Sequence, residues 1–253
     1  MTKTKVWAHR GASGWDRQYA PENTLPAFER AAAMGADGIE LDVQLTRDGE
    51  IVIAHDEKID RVSDGSGWLK NYTLAELKHL SFSKTHPEAG FVEIPTLAEL
   101  FAFMQTNGLE MNIELKTGKI CYAGLEEKTA ALAAKYGMEE RIIYSSFNHY
   151  SVAKMRQLAP ASRIGLLYAE DFVDIPAYPQ ALGAAAVHPS WALVQQQPQL
   201  IPSAHAAGLA VHVWTTDVKL DMVHLIDLGA DAFITDCPDS GRRVADGDRS
   251  WLK

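Results

Sequence analysis

Only two cysteines occur in 253 residues, Cys121 and Cys237, and they stand far apart in no metal-binding spacing. That excludes a disulfide framework and a thiolate metal site, and it suits a reducing, cytoplasmic setting. Long hydrophobic runs are also missing. No stretch reaches the roughly 18 apolar residues that a membrane-spanning helix needs, so none is expected. The opening residues, MTKTKVWAHRG, hold no apolar signal core, so no cleaved leader is expected. Basic charge is scarce: 24 Lys and Arg stand against 33 Asp and Glu, for a net charge of -9. Nucleic acid and anionic membrane surfaces are therefore poor partners. A small anionic substrate would need local positive charge, from a metal ion or a few placed basic residues.

What is present is a steady alternation of short apolar runs and helical stretches. The strand candidates are 5–9, 38–46, 51–55, 111–115, 141–145, 163–168, 184–188, 210–215 and 232–236. Most are apolar on both faces, as buried parallel strands are. Helical runs end at Gly35, Gly108, Gly137, Gly208 and Gly229, where glycine takes a left-handed cap cheaply. Thr73 and Thr96 each open a TLAE capping box. Nine strands are one too many for a barrel. The Asp48-Gly49 turn resolves the excess, because it sends 51–55 back antiparallel beside the preceding strand. Eight parallel strands remain, the count of a (β/α)8 TIM barrel. The whole chain, 1–253, reads as one barrel domain with a small insertion at about 57–95, after the second strand. The runs GADGIELD (35–42) and GADAFITD (229–236) look like repeated units. The polar tail from Gly241 reads as loosely held.

Residues i and i+2 of a strand share a face, so Glu40 and Asp42 point the same way. A two-residue loop at Asp48-Gly49 would place His55 opposite Asp42. Glu114 and Lys116 come from the strand MNIELK, and His9 and Arg10 end the first strand. In such barrels the strand C-termini form the site. Three carboxylates without a thiolate suit a hard cation, Mg²⁺ or Ca²⁺. With that cation, Arg10 and Lys116, the local charge suits a phosphodiester monoanion. His9 and His55 would serve as an acid/base pair near neutral pH. Trp214 reads as a pocket wall or as filler of the barrel's top layer. His188 and His212 read as core residues, and His79, His86, His149, His205 and His224 as surface or helix residues. Asp236 reads as the end of its strand.

These residues fall in a recognisable pattern: HRG (9–11), PENT (21–24), IELDVQLTRDG (39–49), HD (55–56), IELK (113–116), VWT (213–215) and ITD (234–236). In this order, over nearly the whole chain, they resemble the glycerophosphodiester phosphodiesterases. The resemblance implies a TIM barrel that hydrolyses a glycerophosphodiester to sn-glycerol 3-phosphate and an alcohol such as choline or ethanolamine. It implies Glu40, Asp42 and Glu114 as ligands of one divalent cation, and His9 and His55 as catalytic. It implies Arg10 and Lys116 as phosphate-holding. The chain departs from the family pattern at Asp217, where VWTTD replaces VWTVN, and in a longer loop between HRG and PENT. Rival readings are a Mg²⁺-dependent enolate-stabilising lyase, a silent binding module, and a lysophospholipase D that takes acylated glycerol. A small-molecule substrate is expected, with no nucleic acid and no stable membrane association; homo-oligomerisation is left open.

Overall fold

Apolar residues on both faces commit nine segments to strands in the computed structural model, which describes residues 3–170 and 177–252. They are β1 (Lys5–Ala8), β2 (Gly38–Leu45), β3 (Ile51–Ile53), β4 (Glu110–Leu115), β5 (Ile142–Ser146), β6 (Arg163–Tyr168), β7 (Ala186–Pro189), β8 (Ala210–Val213) and β9 (Ala232–Thr235). All eight residues of β2 are buried, so a helix layer outside and a packed interior both exclude water from it. Eight strands pair in parallel around a closed circuit, β1–β2–β4–β5–β6–β7–β8–β9 and back to β1. With helices between the strands, this is the expected (β/α)8 barrel. Two large apolar clusters fill the space between sheet and helices. The interior holds Trp7, Ile143, Ala186, Ala232 and Ile234. His188 and His212 lie there too, fully buried or nearly so, as expected.

β3 is the ninth strand, and it pairs antiparallel with β2 as the turn required. Its register differs from the expectation by one residue. Val43 faces Ile53 and Leu45 faces Ile51, so Asp42 lies opposite Ala54, not His55. The cause is the loop. Gly49 N–H donates to Thr46 O and Thr46 N–H donates to Glu50 O, which makes a three-residue loop with Gly49 at φ 80°. That is a type I turn closed by a left-handed glycine, not a two-residue turn. β2 is long enough to carry this arm. Val43 pairs with Leu115 of β4 on one edge and with Ile53 of β3 on the other.

Residues 57–95 follow the arm. Ile59, Leu69, Leu77, Phe82 and Ile94 bury a small core of their own against Val52 of β3. Both capping boxes form, at Thr73 and at Thr96. Gly35, Gly137, Gly208 and Gly229 take the left-handed conformation, but Gly108 does not, because its helix has already closed at Gln105. The tail is not loose as expected. A helix over Pro238–Ala245 buries Gly241 against Val6 and Phe233, and Arg242 Nη1 donates to Asp37 Oδ2 at 2.9 Å. The GAD repeats are equivalent in space. Asp37 accepts from Val6 N–H, and Asp231 accepts from Val211 N–H, both at 2.8 Å, each closing the base of a neighbouring strand.

Candidate active site

Strand register brings the carboxylates together. β2 and β4 pair Asp42 with Glu114 and Glu40 with Asn112, while Glu40 and Asp42 share a face of β2. A donor oxygen from each of Glu40, Asp42 and Glu114 lies within 4.8 Å of the others, and all three residues are buried. Among the described residues no other group of acidic, histidine or cysteine side chains is gathered in this way. Burial, with Asp42 alongside, pushes the Glu40 carboxyl up to about 8. Burial and Asp42 raise Glu114 too. Burial would also raise Asp42, but Lys116, His55 and Arg10 outweigh it and hold its carboxyl below the usual range. Lys116 Nζ donates to Glu114 Oε1 at 2.9 Å and stands 3.5 Å from Asp42 Oδ1. Asp42 Oδ2 accepts from Asn23 Nδ2 at 2.9 Å, whereas the buried Asp42 Oδ1 accepts no hydrogen bond. An orphaned carboxylate oxygen amid three mutually repelling acids fits a hard cation with oxygen ligands.

The two histidines approach from different elements. His9 follows β1, and its Nδ1–H donates to Asp236 Oδ1 at 2.6 Å. That bond leaves Nε2 facing Glu40 Oε2, 3.9 Å away. Burial lowers the His9 pKa, yet the bond to Asp236 and the charge of Glu40 together raise it. His55 lies two residues beyond β3, and its Nδ1–H donates to Asp56 Oδ1 at 2.8 Å. Arg10, at φ 55°, donates its backbone N–H to Glu40 Oε2 at 3.0 Å and its Nη1 to Glu22 Oε1 at 2.8 Å.

These groups line a cavity of about 140 Å³ at the C-terminal ends of the strands. Its lining combines the polar groups His9, Arg10, Glu40, His55 and Glu114 with the apolar Phe147, Leu167, Trp214 and Ile234. Trp214 is thus a pocket wall. It meets Phe147 edge to face at 5.5 Å, and its Nε1 donates to His188 O at 2.8 Å. Lys116 reaches the carboxylates from the strand end. A wider, open depression of about 750 Å³ surrounds Lys3, His205 and Asp231, away from these groups.

Several partners escaped sequence reasoning. Asp236 does more than end a strand, because it holds His9. Asp56, Glu22 and Asn23 hold His55, Arg10 and Asp42. The repeat carried a signal, since Asp236 occupies in GADAFITD the place of Asp42 in GADGIELD. His86, expected at the surface, is buried, and its Nε2 bonds Gly14 O at 2.9 Å. Asp217 sits behind the site, accepting from Thr235 Oγ1 and Asp236 N–H at 2.8 Å each.

The glycerophosphoryl diester phosphodiesterase family model matches residues 9–240. A glycerophosphodiester phosphodiesterase of Caldanaerobacter subterraneus is 42% identical over 239 residues, covering 94% of this chain and 96% of that protein. One from Bacillus altitudinis is 35% identical, covering 95% and 98%. Among solved structures, an Oleispira antarctica phosphodiesterase in complex with the product sn-glycerol-3-phosphate superposes with a TM-score of 0.83 at 31% identity, covering 96% and 97%.

Proposed function

The chain belongs to the glycerophosphoryl diester phosphodiesterase family, and from that premise we propose that it hydrolyses glycerophosphodiesters to sn-glycerol 3-phosphate and an alcohol by histidine acid/base catalysis with one divalent cation. The observation that carries this reading is the meeting of three buried carboxylates with two histidines, each held at Nδ1 by an aspartate. Glu40, Asp42 and Glu114 would hold the cation, Mg²⁺ or Ca²⁺. When bound, it polarises a phosphoryl oxygen and offsets the charge that develops there.

The remaining work falls to side chains. Arg10 and Lys116 bind the phosphate anion, and Trp214 borders the organic part of the substrate. One histidine takes the proton of the attacking hydroxyl as its oxygen bonds to phosphorus; that hydroxyl is water's, or is the glycerol's in a first step after which water opens the cyclic ester to sn-glycerol 3-phosphate. The other gives a proton to the alcohol oxygen as the old P–O bond breaks. Aspartates at Nδ1 keep each ring in the tautomer and orientation this requires. An enolate-forming barrel would need a neutral basic lysine. Burial alone would push Lys116 that way, but Asp42 and Glu114 raise its pKa and keep it an ammonium. Residues 1–253 act as one catalytic unit in this reading. No helix of the described residues is long and apolar enough to cross a membrane, and both cysteines are free, in keeping with a water-soluble diester as substrate and the cytoplasm as its place.

The test is release of sn-glycerol 3-phosphate from glycerophosphocholine and glycerophosphoethanolamine. Activity is expected with Mg²⁺ or Ca²⁺, loss on EDTA treatment, and recovery when the cation is restored. No product from any glycerophosphodiester overturns the function, and full activity in excess EDTA overturns the cation's part in it.

A further inference from the structure

His55 and Arg10 share a weakness. Neither sits inside a barrel strand, so the hydrogen bonds of the sheet do not hold them. β3 ends at Ile53, two residues before His55, and β1 ends at Ala8, two before Arg10. Each is braced by a carboxylate, Asp56 for His55 and Glu22 for Arg10. Those carboxylates come from separate loops and would themselves be free to turn.

We propose that Arg61, in the segment inserted above the barrel, is a positioning residue that fixes His55 and Arg10 together through Asp56 and Glu22. This rests on the phosphodiesterase reading above. Arg61 uses three donors of one planar guanidinium. Nε donates to Asp56 Oδ2 at 2.7 Å, Nη1 to Glu22 Oε2 at 2.6 Å, and Nη2 to Glu22 Oε1 at 2.8 Å. The result is one continuous chain of charge-assisted bonds: His55, Asp56, Arg61, Glu22, Arg10. Each carboxylate in it uses both oxygens, so neither can rotate without breaking a bond. A rigid fork is what this geometry needs. A lysine ammonium at the same place could satisfy one carboxylate but not two in fixed directions.

The arrangement also gives the insertion a purpose. Arg61 ends a single 3-10 turn, Ile59–Arg61. Ile59 and Val62 on either side are buried in the insertion's own core, with Leu69 and Leu77. The segment therefore holds its arginine from behind, and the arginine holds two site groups in front. Arg61 does not line the cavity that holds both histidines; it borders a smaller recess of about 100 Å³ with His9, Arg10 and Asp236. Its side chain is 42% exposed, so its removal opens the surface and not the core.

The experiment compares kcat and KM on glycerophosphocholine for the cation-loaded parent, Arg61→Ala, Arg61→Lys, Asp56→Asn and the double variant Arg61→Ala/Asp56→Asn. Misplacing a catalytic base or acid by about an ångström costs on the order of a hundredfold. Arg61→Ala is expected to lose at least about tenfold in kcat and to raise KM as Arg10 loosens. Arg61→Lys should recover less than half of the loss, and added methylguanidinium should restore part of the Arg61→Ala rate. In the double variant, kcat should fall little below that of Asp56→Asn, because both changes break one linkage. Unchanged kcat and KM in Arg61→Ala, or losses in kcat that simply multiply in the double variant, overturn the proposal. A parent that releases no sn-glycerol 3-phosphate refutes the phosphodiesterase reading instead.

Discussion

Asp236 shows how much of the site's geometry depends on a residue that looks ordinary in sequence. Its carboxylate reaches His9 at 2.6 Å and takes a second, longer bond from Ser13 Oγ at 3.3 Å. Its own backbone N–H is pinned by Asp217. Asp236→Asn keeps the shape but reduces the acceptor's charge and allows the amide to present N–H to the ring. The fold should persist, and kcat on glycerophosphocholine should drop about 10- to 100-fold in steady-state assays. The ligand and acid/base candidates were legible in sequence because an acid or histidine in an apolar strand is conspicuous. Asp236, Asp56 and Glu22 were not, because polar residues just past a strand or in a loop are ordinary there. What singles them out is the partner, and each partner lies on another element.

The hairpin arm of β2 and β3 carries the lesson at the scale of an element. Asp48-Gly49 correctly signalled a reversal, and the apolar, β-branched run of Ile51, Val52 and Ile53 correctly signalled a strand. The loop length was one residue longer than the motif implied, and that moved the register by one. In an extended strand such a slip would turn His55 to the opposite face. The strand stops at Ile53, however, so the backbone is free to bend and Asp56 can aim the ring. Gly49 sets this geometry at φ 80°, where a Cβ is strained and would meet only the mobile end of Lys128. Gly49→Ala should lower the unfolding free energy by about 1–2 kcal/mol in urea titrations. Gly49→Asn should cost less, because asparagine tolerates the left-handed region better.

Across the whole molecule, closure of the barrel decides which buried polar groups meet. His188 on β7 and His212 on β8 hydrogen-bond at 3.0 Å beside Trp7. Burial holds His212 down to about 3 and His188 well below its ordinary value of 6.5. Both stay neutral in the fold, whereas the unfolded chain takes up protons below its own pKa. Their contribution is therefore complete well above pH 6.5 and is lost as pH falls from there toward the lower folded values, about 3 for His212. Between pH 6.5 and about 5.5 the pair should cost about 2 kcal/mol of stability, from ordinary histidine titration in the unfolded state. Denaturant midpoints should fall accordingly, and less steeply in a His188→Asn/His212→Asn variant. The sequence alone determined the barrel, since buried strands and capped helices announce themselves by local pattern. It also singled out the three carboxylates that the structure gathers, since charge in an apolar strand demands a partner. Tertiary structure alone decided the register of the arm, the anchoring of the tail and the aspartates behind each histidine. Those depend on loop length and on contacts between residues as distant in the chain as His9 and Asp236, which no local pattern encodes.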